Sequence, residues 1–201
     1  MYLNCHTGFS FKYGTLPIKN LFEEAKRCNI HKLALTEINN TASYLEMLRI
    51  IDENKPRENG LTKFGKEPYH LELAVGIEFR NSEQELLYIA LAQNNSGFEN
   101  LNRFLSHHNR EQLKFPVRAP QLDAVWIIYP YRKIEPDQLN ANEFIGIRSF
   151  ELHQFSLDAN KEIFQNQFVA CHPVTFLPPE KTVDAKTKKE KLIYRDHNAH
   201  R

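Results

Sequence analysis

Short apolar runs rich in β-branched residues alternate along the chain with segments in which apolar residues recur at helical spacing. This alternation is typical of parallel α/β architecture, in which helices connect the strands and cover the sheet. Several of the runs are almost wholly apolar, as expected for strands that are buried on both faces. The pattern predicts seven strands, at residues 2–6, 32–37, 73–79, 86–93, 125–129, 144–150 and 168–174.

Four helices are predicted between the strands. The first carries an apolar stripe from Ile18 to Cys28, which should pack on the sheet. The other three are a helix over 42–54 behind an N-cap at Thr41, a helix opened by a capping box of Ser96 and Glu99, and a helix that begins at Asp158.

Two stretches interrupt the alternation. Residues 55–69 are charged and rich in Pro and Gly, so they are predicted to form a loop. Residues 180–201 are rich in lysine and poor in apolar side chains, which predicts a charged, mobile tail after an α/β domain over residues 1–179. The last residues resemble the start of a helix, and we expect a fragment of a longer protein, truncated at the C-terminal end of its barrel.

Composition places the chain among ordinary globular proteins. Hydrophobic residues make up 41% and charged residues 25%, and 201 residues suit one domain. The net charge of +1 gives no long-range attraction to a polyanion. The three cysteines form no close pair, and no apolar stretch is long enough to span a membrane. A reducing, cytoplasmic location is therefore expected, with no membrane partner.

Polar residues at the ends of the first three strands are the strongest candidates for chemistry. Asn4 and His6 end the first strand on one face, Glu37 ends the second, and Glu78 lies near the end of the third. Strand ends converge at one edge of a parallel sheet, where imidazole and carboxylate groups can bind zinc, manganese or iron. The alternative is that such residues only cap turns and helices, which the pattern favours for Asn39 to Thr41.

Other site chemistries lack their motifs. The chain has no glycine-rich phosphate loop, no Gly-x-Ser-x-Gly elbow and no cysteine in a nucleophile motif. No catalytic residue and no organic cofactor are therefore predicted.

Several motifs resemble, in the same order along the chain, those of the PHP (polymerase and histidinol phosphatase) domain at the N-terminus of the bacterial DNA polymerase III alpha subunit. They are Tyr2-Leu-Asn-Cys-His-Thr-Gly-Phe-Ser-Phe-Lys-Tyr-Gly-Thr, Leu33-Ala-Leu-Thr-Glu-Ile-Asn-Asn-Thr, Val75-Gly-Ile-Glu-Phe and Ala90-Leu-Ala-Gln-Asn-Asn-Ser-Gly-Phe-Glu-Asn-Leu. The resemblance covers nearly the whole chain and is most specific in its first hundred residues. It implies an α/β fold, a distorted (β/α)7 barrel of PHP type.

The resemblance also implies that most ligands of the family's trinuclear metal cluster have been replaced. Asn4 stands at the first ligand position of the opening His-x-His motif, and Ile38 stands at the histidine of the second motif. Leu87 stands at a later histidine, and a final Asp-x-His pair falls on Pro173 and Thr175. The remnant ligands are His6, Glu37 and Glu78, which would hold at most one weakly bound divalent ion (Zn, Mn or Mg).

The implied function is a structural or interaction domain of a replicative DNA-directed DNA polymerase, with no activity in this chain by itself. Its implied partners are the other domains of the polymerase alpha subunit, a proofreading exonuclease subunit, and DNA through the full-length protein. The alternative is a metal-dependent phosphoesterase, acting as a 3′–5′ exonuclease or on pyrophosphate.

Overall fold

Residues 1–11 and 13–175, together with the backbone of 180–183 and 190–193, are described by the computed structural model of the chain. All seven predicted strands are present. They are β1 Tyr2–Cys5, β2 Lys32–Ile38, β3 Glu72–Arg80, β4 Leu86–Ala92, β5 Val125–Pro130, β6 Glu143–Ile147 and β7 Phe168–Ala170. The last two end earlier than predicted, at Ile147 and Ala170, where a short 3₁₀ helix and a proline-containing segment begin.

The strands form one curled mixed sheet in chain order from β1 to β7. β1, β2 and β3 are parallel, as are β5, β6 and β7, but β4 runs antiparallel to both of its neighbours. The predicted parallel α/β architecture therefore holds for six of the strands and not for β4. A parallel connection needs a crossover of a dozen or more residues, and only the turn at residues 81–85 separates β3 from β4.

Helices cover the outer face of the sheet. They are α1 Ile18–Arg27, α2 Tyr44–Glu53, α3 Asn95–Arg110 and the short α4 Leu152–Ser156. α4 lies before Asp158, so the predicted start of the fourth helix was wrong, and residues around 158–164 form turns instead.

The predicted N-caps of two helices were also wrong. α2 has its N-cap at Ser43 rather than Thr41, and α3 at Asn94, whose side chain accepts a hydrogen bond from the Gly97 N–H. Asn94 lies two residues before Ser96, so α3 begins earlier than the capping-box pattern indicated.

The alternation of side chains divides the apolar residues between two faces of the sheet. Leu33 and Leu35 on β2 pack outward against α1 and α2, whereas Ala34 between them faces the interior of the curl. Farther along, Phe79 packs outward in the cluster that holds Leu101 of α3. The residues of β2 and β3 that point away from the helices therefore line the interior of the curled sheet.

Among the described residues, the far edge of the sheet returns to β1 through one residue pair. Val174 bridges Cys5, donating its N–H to Asn4 O at 2.8 Å and accepting from the His6 N–H at 2.8 Å. Pro173 has no N–H to extend this ladder. The curled sheet is thus joined to its first strand at one point, and we refer to this point as the seam.

Beyond the seam, β8 Glu180–Val183 and β9 Glu190–Ile193 pair antiparallel as a separate two-stranded sheet. Residues 176–179, 184–189 and 194–201, which carry most of the predicted lysine-rich tail, lie outside the described residues. The domain boundary between residues 179 and 180 stays a prediction.

We expect the amides of residues 180–191 to exchange with solvent almost as fast as those of an unfolded peptide, while β1, β2 and β3 are protected. A two-stranded pair separate from the main sheet is marginally stable by itself, and it opens at little cost. Hydrogen–deuterium exchange with mass spectrometry measures the difference. Protection of 180–191 equal to that of β3 would show that this segment packs with the barrel.

Within the described part of the chain, no helix combines the length and apolar character needed to cross a lipid bilayer.

Candidate functional site

The carboxyl ends of β1, β2 and β3 meet at one edge of the sheet, which we call the mouth. Asn4 of β1 and His6, which follows the strand, lie on the inner face next to Thr36 of β2 and Glu78 of β3, and all four are buried. The Asn4 amide donates to Glu78 Oε2 at 2.9 Å and accepts from the Thr36 hydroxyl at 2.8 Å. Two of the predicted site residues, His6 and Glu78, are therefore brought together.

Glu78 is the centre of a buried ionic cluster. His6 Nε2 lies 3.1 Å from Glu78 Oε2, in a close contact that lacks the alignment of a hydrogen bond, and neither ring nitrogen of His6 has a hydrogen-bond partner among the described residues. On the other carboxylate oxygen, Arg80 Nε donates to Glu78 Oε1 at 2.5 Å. Each oxygen of this carboxylate thus faces a basic side chain.

The protonation of Glu78 reflects these neighbours. Burial alone favours the neutral acid and would raise the pKa, but His6, Arg80 and Asn4 outweigh it and lower the pKa of Glu78 to about 2. The carboxylate is therefore ionised at neutral pH, and its negative charge is balanced inside the protein.

Arg80 is held on several sides. Its guanidinium lies 4.0 Å from the centre of the Tyr13 ring, and its NH1 group donates to Gln84 O at 3.3 Å. The backbone of Arg80 exchanges hydrogen bonds with the Asn39 side chain, whose Oδ1 accepts at 2.9 Å and whose Nδ2 donates at 3.0 Å. Arg80 therefore ties β3 to the loop after β1 and to the turn before β4.

Glu37 lies on the opposite face of the sheet from Glu78. The register of β2 and β3 pairs Ile38 with Glu78 and Glu37 with Ile77, and paired residues in neighbouring strands point to the same side. Because of this one-residue offset, the structure does not bring Glu37 to His6 and Glu78.

A ring of neutral donors surrounds the Glu37 carboxylate instead. Oε1 accepts from the Thr7 hydroxyl at 2.5 Å and from the Ser43 hydroxyl at 2.7 Å. The Thr7 N–H reaches both oxygens at 3.2 Å, and the Ser10 hydroxyl donates to Oε2. The carboxylate thus fixes the loop after β1 and the N-cap of α2, which is the capping role that strand-end residues often have.

Apart from Asn4, whose amide bonds Glu78 and Thr36, the positions at which the resemblance places lost ligands are apolar or contribute only backbone hydrogen bonds. Ile38 pairs beside Glu78, and its N–H donates to Ser10 Oγ at 2.9 Å. Leu87 is buried in the apolar cluster of α3, and Thr175 lies next to the seam, where its carbonyl accepts from the Thr15 N–H at 3.3 Å. In the part of the chain that the structure describes, no three His, Cys, Asp or Glu side chains are grouped so as to hold a metal ion. The residues present do not fit a multinuclear cluster.

Sequence reasoning missed Arg80 and the hydroxyl donors around Glu37. A signal for Arg80 was present, since a residue two positions after Glu78 in a strand shares its face. The donors Thr7 and Ser10 lie in a loop, where no periodicity indicates which side chains turn inward.

An open cleft of about 620 Å³ lies at the mouth, lined by Phe9, Tyr13, Arg80 and Gln84 among others. The Arg80 side chain is 10% exposed, whereas Glu78 is 1% exposed. Arg80 therefore separates the buried carboxylate from the open cleft.

The fold and these residues agree with the family comparison. A search among curated proteins finds no match. The family described as the PHP domain matches residues 3–142, more than half of the chain. This range includes all of β1 except Tyr2, the whole of β2 to β5, and every residue of the ionic cluster. The chain therefore belongs to the PHP domain family.

Proposed function

We propose that the chain is the N-terminal PHP domain of a bacterial DNA polymerase III alpha subunit, and that its role there is structural. The PHP family includes N-terminal domains of polymerases as well as phosphoesterases. The polymerase assignment is supported by the resemblance of motifs in the first hundred residues to those of the alpha subunit.

One observation supports the structural role. The carboxylates of Glu37 and Glu78 are already occupied by contacts with other side chains and backbone groups of the domain. The charge of Glu78 is balanced by Arg80, with His6 at 3.1 Å, and Glu37 accepts hydrogen bonds from hydroxyl and backbone donors. Metal-assisted phosphoester hydrolysis requires carboxylates and imidazoles that are free to bind the ions which generate hydroxide and stabilise the phosphate charge. In this chain the same side chains tie loops together.

The proposed partners follow from this assignment. A domain that does no chemistry contributes shape, so its contacts would be the other domains of the alpha subunit and a proofreading exonuclease subunit. DNA would be bound through the full-length protein, because the net charge of +1 supplies no attraction of its own. The cytoplasm is the proposed location, in agreement with the free thiols of Cys5, Cys28 and Cys171.

We expect His6→Ala and Glu78→Ala to leave DNA synthesis by the full-length polymerase within a few-fold of the wild-type rate. Neither side chain would contact the reacting atoms, so kcat per folded molecule should be nearly unchanged. Primer extension is the assay, run at a temperature where circular dichroism shows the variants to be folded. A loss of several orders of magnitude in folded protein would refute the structural role.

The phosphoesterase alternative has one observation in its favour. His6 and Glu78 lie 3.1 Å apart, and both ring nitrogens of His6 lack hydrogen-bond partners among the described residues. Elemental analysis of the purified protein discriminates between the two functions. Stoichiometric zinc or manganese that is lost together with 3′–5′ exonuclease or pyrophosphatase activity on chelation would support the enzyme.

A further inference from the structure

We propose that the guanidinium of Arg80 takes the place of a metal ion at the mouth and keeps divalent cations away from His6 and Glu78. The cluster of the PHP family balances its acidic ligands with bound ions, whereas here the balancing charge is covalently attached to β3. The chain thus differs from the family in the kind of cation that balances the acidic group, a guanidinium instead of a metal ion. This proposal does not depend on the polymerase assignment.

The geometry of Arg80 is that of a fixed counter-ion. Its Nε lies 2.5 Å from Glu78 Oε1, in a short charge-assisted contact. The Tyr13 ring at 4.0 Å and Gln84 O at 3.3 Å hold the guanidinium from two further directions. A side chain held at three points cannot leave the carboxylate as a dissolved ion can.

Arg80 also opposes metal binding directly. A divalent ion on Glu78 would lie within a few ångströms of the guanidinium, and the repulsion between two cations is strong where burial limits screening. Arg80 lines the open cleft and its Nε contacts Glu78, so an ion that approached the carboxylate from the cleft would meet the guanidinium first.

His6 supplies the independent sign of a cation site. Its side chain is fully buried, yet no hydrogen bond to either ring nitrogen is made by the described residues. Buried polar atoms without partners are rare in proteins, and imidazole nitrogen beside a carboxylate is a usual donor set for a first-row metal. His6 and Glu78 thus keep part of a cation site, and the guanidinium of Arg80 supplies the positive charge there.

The test compares Co²⁺ binding by the wild type and by Arg80→Met, which keeps the aliphatic stem and removes the charge. We expect no uptake by the wild type and about one weakly bound equivalent by the variant, followed by visible absorption and by equilibrium dialysis at millimolar Co²⁺. His6→Ala in the Arg80→Met background should abolish the uptake. Arg103→Met is the matched control, since Arg103 pairs with Glu99 on the surface of α3 with 74% of its side chain exposed.

A second readout does not depend on a metal. Arg80→Met should lower Tm by several degrees because it leaves the Glu78 carboxylate with one fewer partner, and Glu78→Gln in the same protein should recover most of that loss. Arg80→Gln replaces Arg80→Met if the latter does not fold, and Arg80→Lys, which keeps the charge, should still exclude Co²⁺. Equal Co²⁺ uptake by wild type and the neutral variants, whether none or one equivalent, would overturn the proposal.

Discussion

Glu37→Gln is expected to lower the free energy of unfolding by about 4 kcal/mol, since buried donors that lose their acceptor cost about 1–3 kcal/mol each. The substitution keeps the shape of the side chain but turns an NH₂ group toward hydroxyl and N–H donors that now meet at the carboxylate of Glu37. Urea denaturation followed by circular dichroism measures the loss.

The control for Glu37→Gln is Glu99→Gln on α3, where the carboxylate is 67% exposed and pairs with Arg103. That change should cost less than about 0.5 kcal/mol, as is usual for exposed ion pairs. EDTA should leave the wild-type curve unchanged. If EDTA lowered the unfolding free energy of the wild type as much as the Glu37→Gln substitution does, that result would show that Glu37 holds a metal ion, contrary to the structure.

Acid is expected to destabilise the protein through Glu78. The pKa of this carboxyl falls from 4.5 to about 2 on folding, so its ionised form contributes stability that is fully present above pH 4.5. As pH falls toward 2, the unfolded chain takes up a proton before the folded protein does. The contribution that disappears across this window is on the order of 3 kcal/mol, from about 1.4 kcal/mol per pKa unit.

Glu78→Gln isolates this effect, because the variant has no carboxyl to titrate at that position. The difference in unfolding free energy between wild type and Glu78→Gln should be largest at pH 6 and shrink steadily from pH 4.5 downward. Urea titrations at several pH values give the curve. A difference that stays constant down to pH 2.5 would mean that Glu78 does not have the lowered pKa that its contacts with His6 and Arg80 require.

The strands could be predicted from the sequence because burial on both faces leaves a run of apolar residues that needs no knowledge of neighbours. The direction of β4 was missed, although the few residues between Arg80 and Leu86 are too short for a parallel crossover. Connection length was therefore the better signal for direction, and the apolar pattern was the better signal for position.

The site was less predictable because it depends on the register between strands. Glu37 and Glu78 both lie near the ends of apolar strands. The register between β2 and β3 is needed to show that Ile38, and not Glu37, lies beside Glu78. Arg80 could have been placed by the period of two within β3, whereas its contact with Tyr13 depends on how the loop after β1 folds back. Contacts that join distant parts of the chain are not encoded in local spacing.

The seam between Cys5 and Val174 bears on the order in which the chain folds. The β3–β4 pairing joins residues close in sequence, so it can form after closing a short loop, whereas the seam joins the first strand to a residue near the end of the described barrel. Loop-closure entropy rises with the length enclosed, and contacts of long sequence separation are slow to form. β1 delivers Asn4 and His6 to Glu78 from the same end of the chain. The ionic cluster joins only residues from Asn4 to Gln84, so it can form before the seam closes, and the Cys5–Val174 pair is the contact that reports that the two ends of the domain have met.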